Sequence, residues 1–256
     1  MKCLIIAAGQ GTRLRSMAAS KPLATVAGAP LIEHVIRLAA AGGATEFVVV
    51  TGYQAEGLEA FLGGLQARTG FAVTCVRNPD WERPNGVSVL SAADVLGDAP
   101  FMLLMSDHLF DPDILRRLLA GLRPDAALTL GADYRIDRPD LDLDDATKLK
   151  LGDENRIVGI GKALDDYDAV DTGIFVAGPE LLAALLLAIE AGGAGSLSEG
   201  VQRLALAGAA FTFDIGDGWW VDVDDEPAFR RAERELPERL AALEAQSDKR
   251  AVAGRA

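Results

Sequence analysis

The segment Gly9-Gln10-Gly11-Thr12-Arg13, with Lys21-Pro22 shortly after it, gathers residue types that hold a polyanion. Gly9 and Gly11 carry no Cβ, so oxygen atoms can approach the backbone and successive N–H groups can point into one concavity. Thr12 adds a hydroxyl donor, Arg13 a forked guanidinium and Lys21 an ammonium, and Pro22 disfavours helix at Lys21 itself. A Gly-x-Gly alone is equally the mark of an ordinary βα turn; the added donors and cations are what point to phosphate. The spacing fits neither common nucleotide loop, since a third glycine soon after and a Lys-Ser/Thr directly after the last glycine are both missing.

Carboxylates supply the second half of the chemistry. Asp107 follows the apolar run Phe101–Met105, and an ionised Asp at a buried strand tip is costly without a partner, so a metal ion is the natural one. The competing reading, a helix cap before Pro112, is met as well by Asp111. In Trp220-Val221-Asp222-Val223-Asp224, alternation puts Asp222 and Asp224 on one face of an extended segment, and two carboxylates that close call for a cation. Asp107, Asp222 and Asp224 together offer hard oxygen ligands of the kind Mg²⁺ takes. His108 either contacts a substrate phosphate or turns outward. The acidic run Asp137, Asp140, Asp142, Asp144, Asp145 lacks the ordered spacing and glycine of a calcium loop and reads as a solvated loop near a substrate mouth.

These residues sit on an alternating pattern of strands and helices. Leu4–Ala8 and Phe47–Thr51 read as buried strands flanking an amphipathic helix from Leu31 to Ala41, a βαβ unit that makes the sheet at least partly parallel. A helix from Ala55 to Leu65 and a strand from Phe71 to Val76 repeat the alternation. Pro84-Asn85-Gly86 begins a weaker helix, Arg156–Ile160 and Val170–Val176 are strands, and Ser196 with Glu199 forms a capping box for a helix to Leu206. Phe211–Ile215 reads as an edge strand and Pro227–Leu243 as a charged amphipathic helix. The expected domain is 1–244, with 245–256 a flexible tail.

At 256 residues, half of them hydrophobic, the chain can bury a full core as one α/β domain. Its net charge of −13 argues against nucleic acid or an anionic membrane surface as a partner, while leaving a local cationic site for a small anion. Cys3 and Cys75 fall in apparent strands without metal or disulfide spacing, and read as small core residues in a reducing compartment. The apolar start is cut short by glycines and followed by Arg13 and Arg15, unlike a signal peptide, so the cytoplasm is the expected location.

Ala7-Ala8-Gly9-Gln10-Gly11-Thr12-Arg13-Leu14 followed by Lys21-Pro22-Leu23 resembles the signature of nucleotidyltransferases that join a nucleoside triphosphate to a phosphorylated sugar or alcohol and release pyrophosphate. The resemblance runs from Leu4 to about Glu226. It implies a three-layer, Rossmann-like α/β fold with a mixed, mostly parallel sheet. It also implies a nucleotide site formed by Ala7, Ala8, Gly9, Gly11, Thr12, Arg13, Lys21, Asn85, Gly86, Ser88 and Ser106, with Asn85, Gly86 and Ser88 reading the base. Arg13, Lys21 and Lys162 would serve as the catalytic cations, and His108, Lys148, Lys162 and Asp171 would meet the acceptor. Mg²⁺ would be held by Asp107 and Asp222, with Asp224 beside them.

Pro84-Asn85-Gly86-Val87-Ser88, Ser106-Asp107-His108 and Asp144–Lys148 are most similar to cytidylyltransferase domains that use CTP and inositol 1-phosphate. Cytidylyltransferases for phosphocholine or aminoethylphosphonate come next; Trp81, Trp219 and Trp220 keep a quaternary ammonium in play. Gly161-Lys162-Ala163 stands where many sugar-specific members have Glu-Lys-Pro, which weighs against a sugar 1-phosphate. Remaining alternatives are a sugar-1-phosphate enzyme and a catalytically silent nucleotide-binding subunit, and a homodimer is left open. The implied partners are thus a nucleoside triphosphate and a small phosphorylated acceptor.

Overall fold

Strand β1 (Lys2–Ala7) lies at the centre of the protein because every residue from Cys3 onward in it is apolar and both of its faces are covered. The structure, a computed structural model, describes residues 1–11, 13 and 20–253. A 3₁₀ turn at Lys21–Leu23 leads through a small hairpin, β2 (Thr25–Val26) and β3 (Ala29–Pro30), into helix α1 (Leu31–Gly42). There follow β4 (Glu46–Thr51), α2 (Ala55–Thr69), β5 (Ala72–Arg77), α3 (Asn85–Ser91), α4 (Ala93–Leu96) and β6 (Phe101–Met105). β4 and β6 flank β1 in parallel, and β5 extends the parallel block beyond β4.

The second half of the chain completes a mixed sheet. It comprises β7 (His108–Phe110), α5 (Pro112–Ala120), β8 (Leu128–Asp133), β9 (Lys148–Leu151), β10 (Ile157–Gly161) and β11 (Ala169–Ala177). After these come α6 (Glu180–Glu190), α7 (Leu197–Leu206), β12 (Ala210–Asp214), β13 (Trp220–Asp222) and α8 (Glu226–Ala253). Among the described residues the main sheet has nine strands, with β11 running antiparallel to β6, β8 and β9 and β12 parallel to β8 as the expected edge. β13 and β7 form a separate antiparallel ribbon.

Alternation along β1 feeds two cores. Cys3, Ile5 and Ala7 pack with α1, α2 and α5, whereas Leu4, Ile6 and Ala8 pack with α3, α6 and α7. This is the three-layer arrangement expected from the sequence. At one edge of the sheet the carboxyl ends of β1, β4 and β6 are laced together: Tyr53 N donates to Ala8 O (2.9 Å) and Ser106 N to Ile6 O (3.2 Å). Ligands of open α/β sheets bind outside that edge.

Two expectations change. Cys75 lies exposed on β5, an edge strand, and only Cys3 is a core residue. α8 continues to Ala253, so residues 245–253, expected as a loose tail, extend the helix. No helix among the described residues is long and apolar enough to cross a membrane.

The capping box on α7 forms as read: Ser196 Oγ accepts from Glu199 N (3.2 Å), and Glu199 Oε2 accepts from Ser196 N (2.7 Å). Asn85 Oδ1 adds a further acceptor for Leu197 N (2.9 Å), tying α3 to the same helix start. Ser196→Ala should therefore cost about 1 kcal/mol. That corresponds to a fall of roughly 2–4 °C in Tm for a chain of this size, read by thermal denaturation followed by circular dichroism.

Candidate active site

Lys21 is the hub of the site. The chain turns out of β1 through Gly11, whose φ of +57° suits glycine, and a Cβ there would lie 2.4 Å from Lys21 Cβ. Gly11 thus lets the Lys21 stem pass beneath the loop, a role beyond the phosphate approach expected of it. Gly9 has nothing within 4 Å of its missing Cβ and leaves the loop surface open. The Lys21 ammonium, almost fully buried, meets Asp107 Oδ2 at 2.5 Å, Asp224 Oδ1 in close contact and Asp222 Oδ1 at 4.0 Å. Burial alone would lower its pKa, but the three carboxylates outweigh it and hold the ammonium charged, above its ordinary value.

The same carboxylates divide the remaining cations. Asp107, whose burial opposes its charge, is held well below the ordinary carboxylate range by Lys21 and by His108, whose Nδ1 donates to Asp107 Oδ1 (2.8 Å). His108, though desolvated, is pushed up to about 9 by Asp222 and Asp107. Asp222 is raised to about 6, mainly by burial, and its Oδ1 is a buried atom with no hydrogen-bond partner among the described residues. Oxygen atoms of Asp107 and Asp222 lie with a His108 nitrogen within 4.8 Å of one another. An unpartnered carboxylate oxygen beside a second carboxylate fits a hard divalent cation. Asp224 instead pairs with Lys21 and Arg13.

Two cavities meet here. A smaller one, about 350 Å³, is lined by Ala7, Gly9, Gly11, Lys21, Trp81, Arg83, Ser88 and Ser106. A larger one, about 500 Å³, is lined by Arg13, His108, Lys162, Asp171, Trp220 and Asp222 among others. Asn85, Met105, Asp107 and Asp224 border both. A phosphoryl group passing between molecules in the two cavities would therefore pass beside Lys21 and the carboxylates.

Most expected site residues converge on these cavities, with exceptions. Thr12 lies outside the described residues. Gly86 lines neither cavity: a Cβ there would meet Gly195 O at 2.5 Å and Leu185 at 2.6 Å, so its size serves the packing of α3 against α6 and α7. Ala8 is buried behind the loop, its carbonyl taken by Tyr53 N. Lys148 also lines neither cavity; its ammonium donates to Lys162 O (3.1 Å) and sits 5.2 Å from the Tyr167 ring. Of the two lysines expected to meet the acceptor, Lys162 alone lines the larger cavity. Ser88 is buried and accepts from Asn78 Nδ2 (3.0 Å), so Asn78 fixes the hydroxyl at the smaller cavity.

The acidic loop is not simply solvated. Asp145 bridges Lys162 (2.5 Å) and Arg13 (2.7 Å), and those two cations lower its pKa to about 2. Asp140 joins Arg138 to Arg231 of α8, so the loop is clamped over the larger cavity. Sequence reading missed Asp145 and Asp140 because acidic side chains without metal spacing look alike until cations from distant segments select among them.

Residues 3–255 match the family model for the MobA-like NTP transferase domain. A bifunctional IPC transferase and DIPP synthase of Rubrobacter xylanophilus is 37% identical over 233 residues, 90% of this chain and 50% of the relative. The protein of the same name in Thermococcus kodakarensis is 35% identical over 92% of this chain and 50% of its own length. The chain spans about half the length of these curated relatives. Among solved structures, the inositol-1-phosphate CTP transferase from T. maritima is similar at a TM-score of 0.77 and 26% identity, covering 91% of this chain and 96% of that one. A UDP-glucose pyrophosphorylase complexed with UDP-glucose, at 17% identity and TM-score 0.75, shares the fold over 93% of this chain and 98% of its own.

Among the described residues only the Gly173 N–H donates to Asp171, at its Oδ1 (2.7 Å); the carboxyl lines the larger cavity, and burial pushes it up to about 6. A carboxyl with a folded pKa above its unfolded one costs nothing below about 4 and destabilises progressively as pH rises through 6. Asp171→Asn should therefore raise stability at pH 8 by about 1–2 kcal/mol, the two-unit shift being partly screened by water in the cavity. Urea unfolding at pH 8 and pH 4 checks this, the gain vanishing at the lower pH.

Proposed function

The chain belongs to the MobA-like NTP transferase family, and from there we propose that it transfers the cytidylyl group of CTP to inositol 1-phosphate, releasing pyrophosphate. The observation that carries the reading is the junction of a glycine-lined cavity with an acid-rich one at Lys21, Asp107 and Asp224. The triphosphate would lie on the loop from Gly9 to Arg13 and the acceptor in the larger cavity.

An oxygen of the acceptor phosphate attacks the α-phosphorus, the bond from that phosphorus to the bridging oxygen breaks, and pyrophosphate leaves. A phosphate monoester with a second pKa of ~6 is largely dianionic at neutral pH, so no general base is required. Lys21 would face the donor phosphates, Lys162 the acceptor phosphate and Arg13, which reaches the larger cavity from the end of the loop, the transferred group between them, balancing charge while holding the groups in line. Asp107 and Asp222 would hold Mg²⁺, which supplies Lewis-acid stabilisation of the phosphoryl oxygens. Because Asp145 engages both Arg13 and Lys162, the phosphates compete with it for these cations.

A polyol fits the larger cavity better than choline. Of the three tryptophans only Trp220 lines it. Trp81 lies against Tyr53 by the smaller cavity, with ring centroids 5.1 Å apart. Trp219 donates its Nε1 to Glu235 (2.7 Å). No aromatic cage is thus formed by the described residues. Asp140, Asp142 and Asp171 instead offer acceptors for hydroxyl groups.

Pyrophosphate release should require CTP, inositol 1-phosphate and Mg²⁺ together, and chelation should abolish it reversibly. Asp222→Asn should lower kcat by roughly a hundredfold or more at unchanged fold. Lys162→Ala should act mainly on the KM for the acceptor. Release with another nucleotide or a sugar 1-phosphate would move the substrate and keep the chemistry. Nucleotide binding without release, across a matrix of acceptors, would favour a regulatory subunit.

A further inference from the structure

We propose that Asp133 is a positioning residue that sets the wall of the larger cavity through Trp220, His108 and Arg138. That the wall faces the acceptor rests on the function proposed above; the geometry does not. Asp133 ends β8, is fully buried and lines neither cavity. Its Oδ1 accepts from Arg135 N (3.0 Å) and Nε (2.8 Å). Its Oδ2 accepts from Arg135 Nη2 (2.8 Å), Arg138 Nη1 (2.7 Å) and Trp220 Nε1 (2.8 Å).

Each of these donors leads to the site or to the segment that carries it. Arg135 Nη2 also donates to Gly218 O (2.9 Å), fixing the chain just before β13. The Trp220 ring lies nearly parallel to His108, with centroids 6.1 Å apart and planes at 12°. Gly173 closes on the same imidazole: a Cβ there would stand 2.6 Å from His108 Cδ2. The ring so oriented gives its Nδ1 proton to Asp107. Arg138 in turn holds Asp140, Nε to Oδ1 at 3.0 Å, and Asp140 pairs with Arg231. Trp220, His108, Arg138, Asp140 and Arg231 all line the larger cavity.

A buried ion pair is a weak source of net stability, because desolvation offsets its attraction. What Asp133 supplies is direction. It presents acceptors alone to five N–H groups, so the amide of Asn, with one oxygen and one NH₂, would turn donors against donors on one side. With its oxygen kept on the three-donor side, the amide would set its NH₂ against Arg135 N and Nε, loosening Arg135 and its hold on Gly218 O just before β13, and the indole and the stacked imidazole would follow.

Asp133→Asn is the test. The chain has two histidines, His34 and His108, so imidazole NMR signals resolve both without substrate. The stacked indole should shift the His108 ring signals upfield, and Asp133→Asn should reduce that shift. His34, buried in α1 with Nε2 bonded to Val26 O (2.7 Å), should keep its signal and report the fold. In pyrophosphate release, the KM for inositol 1-phosphate should rise about tenfold to a hundredfold, the scale of lost supporting hydrogen bonds, with the KM for CTP unchanged. An unmoved His108 signal, or an equal rise in both KM values, overturns the proposal. If Asp133→Asn loses the His34 signal of the fold, Arg135→Gln, at a half-buried residue that lines neither cavity, loosens the hold on Asp133 and Gly218 O without touching the cavity wall directly. A raised acceptor KM is then expected, and an unchanged one overturns the proposal. Because the NMR readout uses neither substrate, a failed substrate assignment with a moved His108 signal is distinguishable from a failed role for Asp133.

Discussion

Three carboxylates drawn onto one buried ammonium hold this site together. Asp107 comes from the end of β6, Asp222 and Asp224 from β13 and the turn after it, and Lys21 from the 3₁₀ turn after β1. None of these charges is tolerable at that depth alone, since desolvating an isolated ion costs several kcal/mol. Each requires the others, and together they pin three segments far apart in sequence. The arrangement leaves Asp222 Oδ1 without a hydrogen-bond partner among the described residues, with only long contacts to Lys21 and His108, so one oxygen remains for a cation. Gly11 is part of this constraint, because any side chain there would displace the Lys21 stem.

The fold supports that cluster by a simple geometry. β1, β4 and β6 run parallel with both faces buried, so their carboxyl ends arrive together and the loops after them have one edge to occupy. The glycine loop, Gly52-Tyr53 and Ser106-Asp107 all leave from it. β11, antiparallel to β6, brings Asp171 and Gly173 to the same end from the opposite chain direction. The β7–β13 ribbon then places His108 opposite Asp222 in register.

Local chemistry made much of this legible in the sequence. An apolar run ending in Gly-Gln-Gly could only be a buried strand meeting a turn, and alternation in Val221-Asp222-Val223-Asp224 gave the facing of both carboxylates. Capping of α7 was equally readable, since Ser196 and Glu199 interact within one helical turn. What escaped was what depends on distant partners. Lys148 and Lys162 look alike as loop lysines, and only the pairing of β9 with β10 sends one ammonium toward Tyr167 and the other to Asp145. Gly86 sits in a turn that reads as a base contact, yet its size answers to Gly195 and Leu185, over a hundred and nearly a hundred residues away. Cys75 follows the same logic: its strand is visible in sequence, its place at the sheet edge is not.

The larger cavity shows how such distant partners set chemistry. Its walls carry Asp140, Asp142, Asp145 and Asp171 beside Arg13, Arg138, Lys162 and Arg231, a density of charge that self-repulsion would scatter without fixed pairing. Asp140 and Asp145 are pinned by cations, whereas Asp171 has a single backbone N–H donor and is pushed up to about 6. Asp171, like Asp142, which no cation pairs among the described residues, thus keeps capacity to spare for a hydroxyl. Paired carboxylates shape the wall, and the underpaired ones keep acceptor capacity toward the cavity. Leaving Asp171 short of donors sacrifices stability at that position, and the rigid sheet edge beneath it is what makes the sacrifice tolerable.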